Sequence, residues 1–335
     1  MQEKPDIPDQ VILSCLQTEY GLDCRGVEFL PLGADVNTAV YRAESASGQG
    51  YFVKLRRGDF AEITVTLPHF LKSSGIHAII APLETSSRRL WAELDSCRVI
   101  VYPFIPGRDG YEQALSQAQW REFGRTMKAI HTAALPPALS NAIPRETFPS
   151  EWREQVLHFQ SLVEEKTFAE PIAAKLADCM QANCQTIHQA IRRAEQLGRL
   201  LQTRYRKFVL CHSDIHPGNL HLSPEGAIHI VDWDQPILAP AERDVALIGG
   251  CPAWSNPAAV NWFFEEYGRA GLDPLALAYY RYERVIWDLA AFCQQILLTD
   301  AGGQDREQGY CYFAGNFLPG HEMDLARAVD PFPDS

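Results

Sequence analysis

The chain has 335 residues, 46% of them apolar and 21% charged, a make-up with room for two lobes and a substantial buried core. Its formal net charge of -12 is scattered without a long run of one sign, which argues against a nucleic-acid partner and favours a cationic ligand. The opening MQEKPDIPDQ lacks a basic region followed by an apolar stretch, and no run of about 18 apolar residues occurs, so the expectation is a cytoplasmic protein without a membrane partner.

Pro8 suits a first helical turn, and Val11, Ile12, Cys15 and Leu16 form an apolar stripe that stops before Gly21, predicting a short helix. Strands are predicted at 27–32, 39–45, 50–56, 79–84, 89–95 and 97–105, all rich in β-branched and aromatic residues and separated by Gly, Ser or Asp. Among them only 61–73, ended by Gly75, reads as a helix. Residues 1–103 therefore read as a small antiparallel, β-rich lobe. After PFIPGRDG the pattern turns helical: Ser116 and Gln119 make a capping-box signature, and helical stripes run through 150–165, 170–202, 257–269 and 274–299. Residues 104–335 read as a mainly helical lobe, interrupted once by two short apolar strands around the SPEG turn. The fold class is α+β. Nine cysteines, an odd number set far apart, suggest buried free thiols rather than a disulfide framework.

Phosphoryl transfer needs a cation and metal ions on the phosphates, an acceptor for the incoming hydroxyl's proton, and little covalent work. Protein kinases place an Asp, an Asn five residues later, a second Asp after a short hairpin, and a Lys on the third strand of the small lobe. Here Lys54 ends the apolar strand YFVK, Asp214 and Asn219 stand five apart, and Asp232 follows the hairpin. Taken singly, Asp214 also suits a turn cap, Asn219 a turn and Asp232 a strand end. Asp234 suits either a role beside the metal or a solvated loop, and Asp244 suits an anchor for the catalytic loop. A rival set is His212, His216 and His221 with Asp214, the ligands of a metal-dependent hydrolase; it leaves Lys54, Asn219 and the hairpin to Asp232 without a use. No GxxxxGK[ST] sequence occurs.

The segments HSDIHPGNLHL and IVDWDQP resemble the catalytic and metal-binding segments of the aminoglycoside phosphotransferase family, which is similar to protein kinases in fold and mechanism. GADVNTAVY, YFVKLRRG, SSGIHAIIAPL, VIVYPFIPG, LAPAERDVALIGG and YYRYERVIWDLA extend the likeness towards its spectinomycin phosphotransferase branch. The resemblance covers most of the chain apart from about 132–205 and the C-terminal tail, and it implies a protein-kinase-like bilobal fold using ATP and Mg²⁺. It implies Asp214 as the catalytic base and Asn219 and Asp232 as the Mg²⁺ ligands. Lys54 would neutralise the α- and β-phosphates, partnered by Glu62 on the small lobe's helix. Tyr102, Pro103, Phe104 and Ile105 would meet adenine. In the loop LGADVNTAVY, Gly33 is the only glycine where kinases carry three, with polar Asn37 and Thr38 in support.

The implied acceptor is a small cationic aminocyclitol, spectinomycin first, and the implied outcome is antibiotic resistance. Kinases of choline, homoserine or a sugar carry the same nucleotide motifs and remain the alternative. For the acceptor wall the helices offer Trp152, Tyr279, Tyr282 and Trp287 beside Glu151, Glu265, Glu266, Glu283 and Asp288, a set that suits an ammonium-bearing ring. Core packing is the alternative use of those aromatics.

Overall fold

The structure is a computed structural model that describes residues 4–31, 37–204, 207–299 and 303–332. The first helix, α1 (Asp9–Tyr20), buries Ile12, Cys15, Leu16 and Tyr20 and stops at Gly21, whose left-handed φ of 67° only glycine adopts without a steric cost. An antiparallel sheet of five strands follows, β1 (Cys24–Leu30), β2 (Thr38–Ser45), β3 (Gly50–Arg57), β4 (Ala92–Leu94) and β5 (Cys97–Pro103), in the order β1-β2-β3-β5-β4. One helix, α2 (Ile63–Ser73), connects β3 to the later strands. Ala43, Val53, Leu55, Val99 and Val101 pack with Ile12 and Leu16 of α1 in one apolar cluster.

Two strand expectations need correction. Residues 79–84 form no strand: Pro82 has no N–H to give a ladder, and the segment makes only an isolated parallel bridge, Ile79 to Ile230, plus a bond from Leu83 N to Val101 O. The expected 89–95 shrinks to β4, because Arg89 is tied back to Thr85, whose N donates to Arg89 O and whose Oγ1 accepts from Arg89 N, and so does not pair in the sheet.

The chain continues through β6 (Arg108–Asp109), α3 (Gln117–His131), α4 (Pro137–Ala142), α5 (Glu151–Glu165), α6 (Pro171–Ala182) and α7 (Cys184–Thr203). The capping box of Ser116 and Gln119 is formed at the start of α3. The single stripe over 170–202 is two helices, because the chain turns at Asn183, which closes α6 and opens α7. Next come β7 (Val209–Cys211), β8 (Leu220–Leu222), β9 (Ile228–Ile230), β10 (Ile237–Ala239), α8 (Glu242–Val245), α9 (Pro257–Tyr267), α10 (Pro274–Leu297), α11 (Gln304–Gly315) and α12 (Glu322–Val329). The strand before Asp214, β7, pairs with β10, whereas the hairpin of β8 and β9 pairs with β6.

The chain forms two compact units, one of residues up to 143 with 216–236, the other of 144–215 with 237 onward. The first holds the five-stranded sheet and the β8–β9 hairpin. The second is mainly helical and surrounds α10, whose Tyr279, Val285, Ile286, Leu289 and Cys293 lie in a large apolar cluster. An antiparallel sheet in the N-terminal part and helices in the C-terminal part make the kinase-like α+β class. Among the described residues no helix is long and apolar enough to cross a membrane. The nine cysteines are free thiols, but only five are buried: Cys24, Cys179 and Cys184 are partly exposed and Cys311 is exposed.

Candidate active site

In the first unit, strand alternation decides which side chains of β3 are available. Val53 and Leu55 are buried under α1, so Lys54 and Arg56 share the opposite, partly open face. Both reach one carboxylate oxygen: Lys54 Nζ and Arg56 Nη1 each donate to Asp234 Oδ2 at 2.8 Å. The carboxylate on Lys54 is therefore Asp234 and not Glu62. Glu62 precedes the first turn of α2 at its exposed end, where its backbone carbonyl accepts from Val65 N and Thr66 N.

The hairpin explains the spacing of Asn219 and Asp232. Leu220 pairs with Ile230, His221 with His229 and Leu222 with Ile228, so the residues flanking the hairpin meet, and Val231 N donates to Asn219 O at 3.1 Å. Asn219 is buried, and Asp232 stands in the left-handed region at φ 63°, a conformation that Asp and Asn tolerate better than other side chains. Trp233 is buried behind it, donating from Nε1 to Ile230 O. Asn219 offers an amide oxygen and Asp232 a carboxylate oxygen, both hard donors of the kind that fit Mg²⁺.

The segment 102–105 lies against the same group. Tyr102 pairs with Phe52, Phe104 N donates to Gly50 O, and the Ile105 carbonyl is hydrogen-bonded to His221 Nε2 at 2.9 Å. Gly107 permits the close approach that follows, since a Cβ there would come within 2.2 Å of Leu222 O. Burial first, and then the negative charges of Asp234 and Asp232, push the Tyr102 phenol well up. Thr38 lies opposite Arg56 in the sheet, and Asn37 O accepts from Arg57 N. The expectation for Gly33 lies outside the described residues. The first unit thus gathers Lys54, Arg56, Tyr102, Asn219, Asp232 and Asp234, of which sequence reasoning missed Arg56. Its signal was the two-residue spacing from Lys54 on one strand face.

In the second unit, Asp214 follows β7 on a loop held from behind. His212 N and Ser213 N donate to Asp244 Oδ2 and Oδ1, both at 2.8 Å, and Asp244 is 2% exposed, so the expected anchoring role is what the geometry shows. Ser213, at φ 78°, makes the sharp turn that presents Asp214. Arg284 Nη1 donates to Asp214 Oδ1 at 2.8 Å, and its Nε pairs with Asp288 Oδ1 at 3.2 Å. The same guanidinium lies 4.6 Å from the Trp287 ring, which meets Trp152 edge-on. Residues 284, 287 and 288 share one face of α10. Burial raises the Asp288 carboxyl, with the Arg284 charge opposing. Arg284 was missed at the sequence level; the helical spacing with Trp287 and Asp288 was the available signal.

The remaining wall candidates divide. Tyr279 and Tyr282 are buried core residues, while Glu151 and Glu265 are exposed. Glu283 is ion-paired with Arg153. Burial pushes the Glu283 carboxyl up to about 7, with the Arg153 charge pulling the other way. Between its ordinary value of 4.5 and about 7, Glu283 is protonated in the folded chain and ionised in the unfolded one. Stability from this group is therefore complete below about 4.5 and is lost as pH rises through about 7, a swing of up to roughly 3 kcal/mol. The stability difference between the wild type and Glu283→Gln should fall across that window in thermal melts at stepped pH; a flat difference would contradict the assignment.

The histidines of the hydrolase reading serve local structure. His212 Nδ1 accepts from Asp214 N, His216 Nδ1 accepts from Gly218 N, and His221 is bonded to the Ile105 carbonyl.

Comparisons with known proteins give the family and the fold. Residues 28–285 match the phosphotransferase enzyme family. No curated protein matches the chain. Among solved structures, it is similar to a spectinomycin phosphotransferase in complex with ADP and spectinomycin, at 34% identity and a TM-score of 0.90 over 97% of this chain and 99% of that one. It is also similar to the AMP-bound complex of a spectinomycin phosphotransferase, at 33% identity and a TM-score of 0.86, covering 96% and 99% of the two chains. A choline kinase from Streptococcus pneumoniae, 16% identical with a TM-score of 0.55 over 92% of this chain and 99% of that one, shares the fold alone.

Proposed function

The chain belongs to the phosphotransferase enzyme family, and from that premise we propose that it phosphorylates a ring hydroxyl of an aminocyclitol antibiotic, spectinomycin first, using ATP and Mg²⁺. For the acceptor, the observation that carries the reading is the 34% identity over 97% of the chain to a phosphotransferase bound to ADP and spectinomycin. For the chemistry, support comes from the residues gathered around Asp234 and from the held loop before Asp214.

In this reading the backbone of 102–105 meets adenine, and Lys54 neutralises the α- and β-phosphates, with Asn37 and Thr38 beside them. Asn219 and Asp232 hold Mg²⁺, which when bound neutralises charge on the phosphates. Asp214 accepts the proton of the attacking hydroxyl, and Arg284 fixes the direction of its carboxylate. Trp152, Trp287 and Asp288 wall the acceptor, an aromatic and acidic surface suited to a protonated amine. On the expected division, residues 1–103 carry Lys54 and the start of the adenine segment, and 104–335 carry Asn219, Asp232, Asp214 and the acceptor wall. Hydrogen exchange with ATP and Mg²⁺ should slow at 37–38, 54, 102–105 and 214–232, and slowing confined elsewhere would misplace the nucleotide. On this reading the enzyme acts in the cytoplasm and confers resistance.

The deciding experiment measures ATP consumption with spectinomycin, hygromycin, kanamycin, choline and homoserine, with mass detection of the product. Phosphorylated spectinomycin is expected. Phosphate on choline or homoserine and on no antibiotic would overturn the acceptor while leaving the family chemistry in place.

A further inference from the structure

We infer that Arg56 is a second phosphate-binding cation of the nucleotide site, and that Asp234 is an internal counter-anion which the nucleotide phosphates displace. The inference rests on the proposed role of Lys54, and it adds a ligand and a competitor to that site.

Two cations two residues apart on β3 converge on one oxygen, Asp234 Oδ2, at 2.8 Å each. One carboxylate balances one of them, so the trio carries a net positive charge. Side-chain exposures of 15% for Lys54, 20% for Arg56 and 29% for Asp234 put that charge where water screens it poorly, and an anion is drawn to it. The guanidinium has donor capacity beyond Asp234. Arg56 uses Nη1 on Asp234, while its Nε is buried without a hydrogen-bond partner in the protein. An unmet buried donor is costly. As Asp234 is displaced, Nη1 is freed to donate to a phosphate oxygen, an acceptor that suits a guanidinium. Thr38, at the start of β2, lies directly opposite Arg56 in the sheet.

The Asp234 and Asp232 charges both raise the Tyr102 phenol, so both carboxylates act on the same ring. A phosphate arriving at Lys54 and Arg56 would meet the Asp234 carboxylate as a rival for the same donors. Binding then exchanges one anion for another, and removing the internal rival strengthens binding. A purely structural ion pair makes no such forecast.

The test is calorimetric titration of the full-length protein with ADP and with adenosine, in the absence of Mg²⁺. Arg56→Gln should weaken ADP binding tenfold or more and leave adenosine unchanged, with Arg56→Lys recovering part of the loss. Asp234→Asn should tighten ADP severalfold without altering adenosine. An ADP affinity unchanged in Arg56→Gln, or an equal loss for ADP and adenosine, would overturn the phosphate contact. Weaker ADP binding by Asp234→Asn would overturn the displacement. A wild type that binds neither ligand would overturn the nucleotide reading itself, a result distinguishable from both.

Discussion

Replacing Asp214 by Asn lowers turnover by about 10²–10⁴-fold, the range expected for loss of a positioned proton acceptor, while the fold and the KM for ATP stay close to those of the wild type. An amide occupies the same volume but is no base, and it gives Arg284 a neutral oxygen in place of the charge it now holds at 2.8 Å. The Asp214 side chain is 33% exposed, so the substitution leaves no charge stranded in the core. The loop itself is fixed through His212 N and Ser213 N, not through the Asp214 carboxylate. Steady-state kinetics of the purified variant with ATP and the unmodified acceptor that the panel shows to be phosphorylated decide the matter. Turnover within a factor of a few of the wild type would remove Asp214 from the chemistry.

The second large effect is on stability. Asp244→Ala removes both charge-assisted acceptors from His212 N and Ser213 N, in a place where Asp244 and His212 are almost wholly out of water. Each stranded amide costs about 1–3 kcal/mol, so unfolding in urea should show a loss of about 3–5 kcal/mol. Turnover should fall as well, because the turn at Ser213 that presents Asp214 is no longer held. Asp244→Asn keeps one acceptor oxygen but turns an NH₂ group towards the other amide, so it should sit between the alanine variant and the wild type. A loss under about 1 kcal/mol in the alanine variant would mean that the loop is held by other contacts.

The kinase-like order of Lys54, Asp214, Asn219 and Asp232 was legible in the chain because each part depends on local backbone rules. Alternation along 50–57 puts Lys54 on the face opposite Val53 and Leu55. A hairpin with a four-residue turn signal returns the chain so that Asn219 and Asp232 flank its open end. Capping and apolar periodicity marked α1, α3, α5, α9 and α10 before any tertiary contact was known. The same short-range rules failed where pairing is remote. Residues 79–84 look like a strand by composition, but the sheet order leaves them only a bridge to Ile230.

What tertiary structure alone decided are the partners. Lys54 and Asp234 are 180 positions apart, and Arg284 and Asp214 are 70 apart, so no local periodicity joins them. Glu62 looked suitable as the acidic residue inside the helix expected over 61–73, yet it stands at the exposed start of α2, while the loop after β9 carries Asp234 to β3. The aromatic residues of α10 were divided by packing: Tyr279 and Tyr282 turn into the core, and Trp287 turns to Arg284 and Trp152. Helical spacing states which residues share a face, but only the neighbours that bury a face determine whether it becomes core or site.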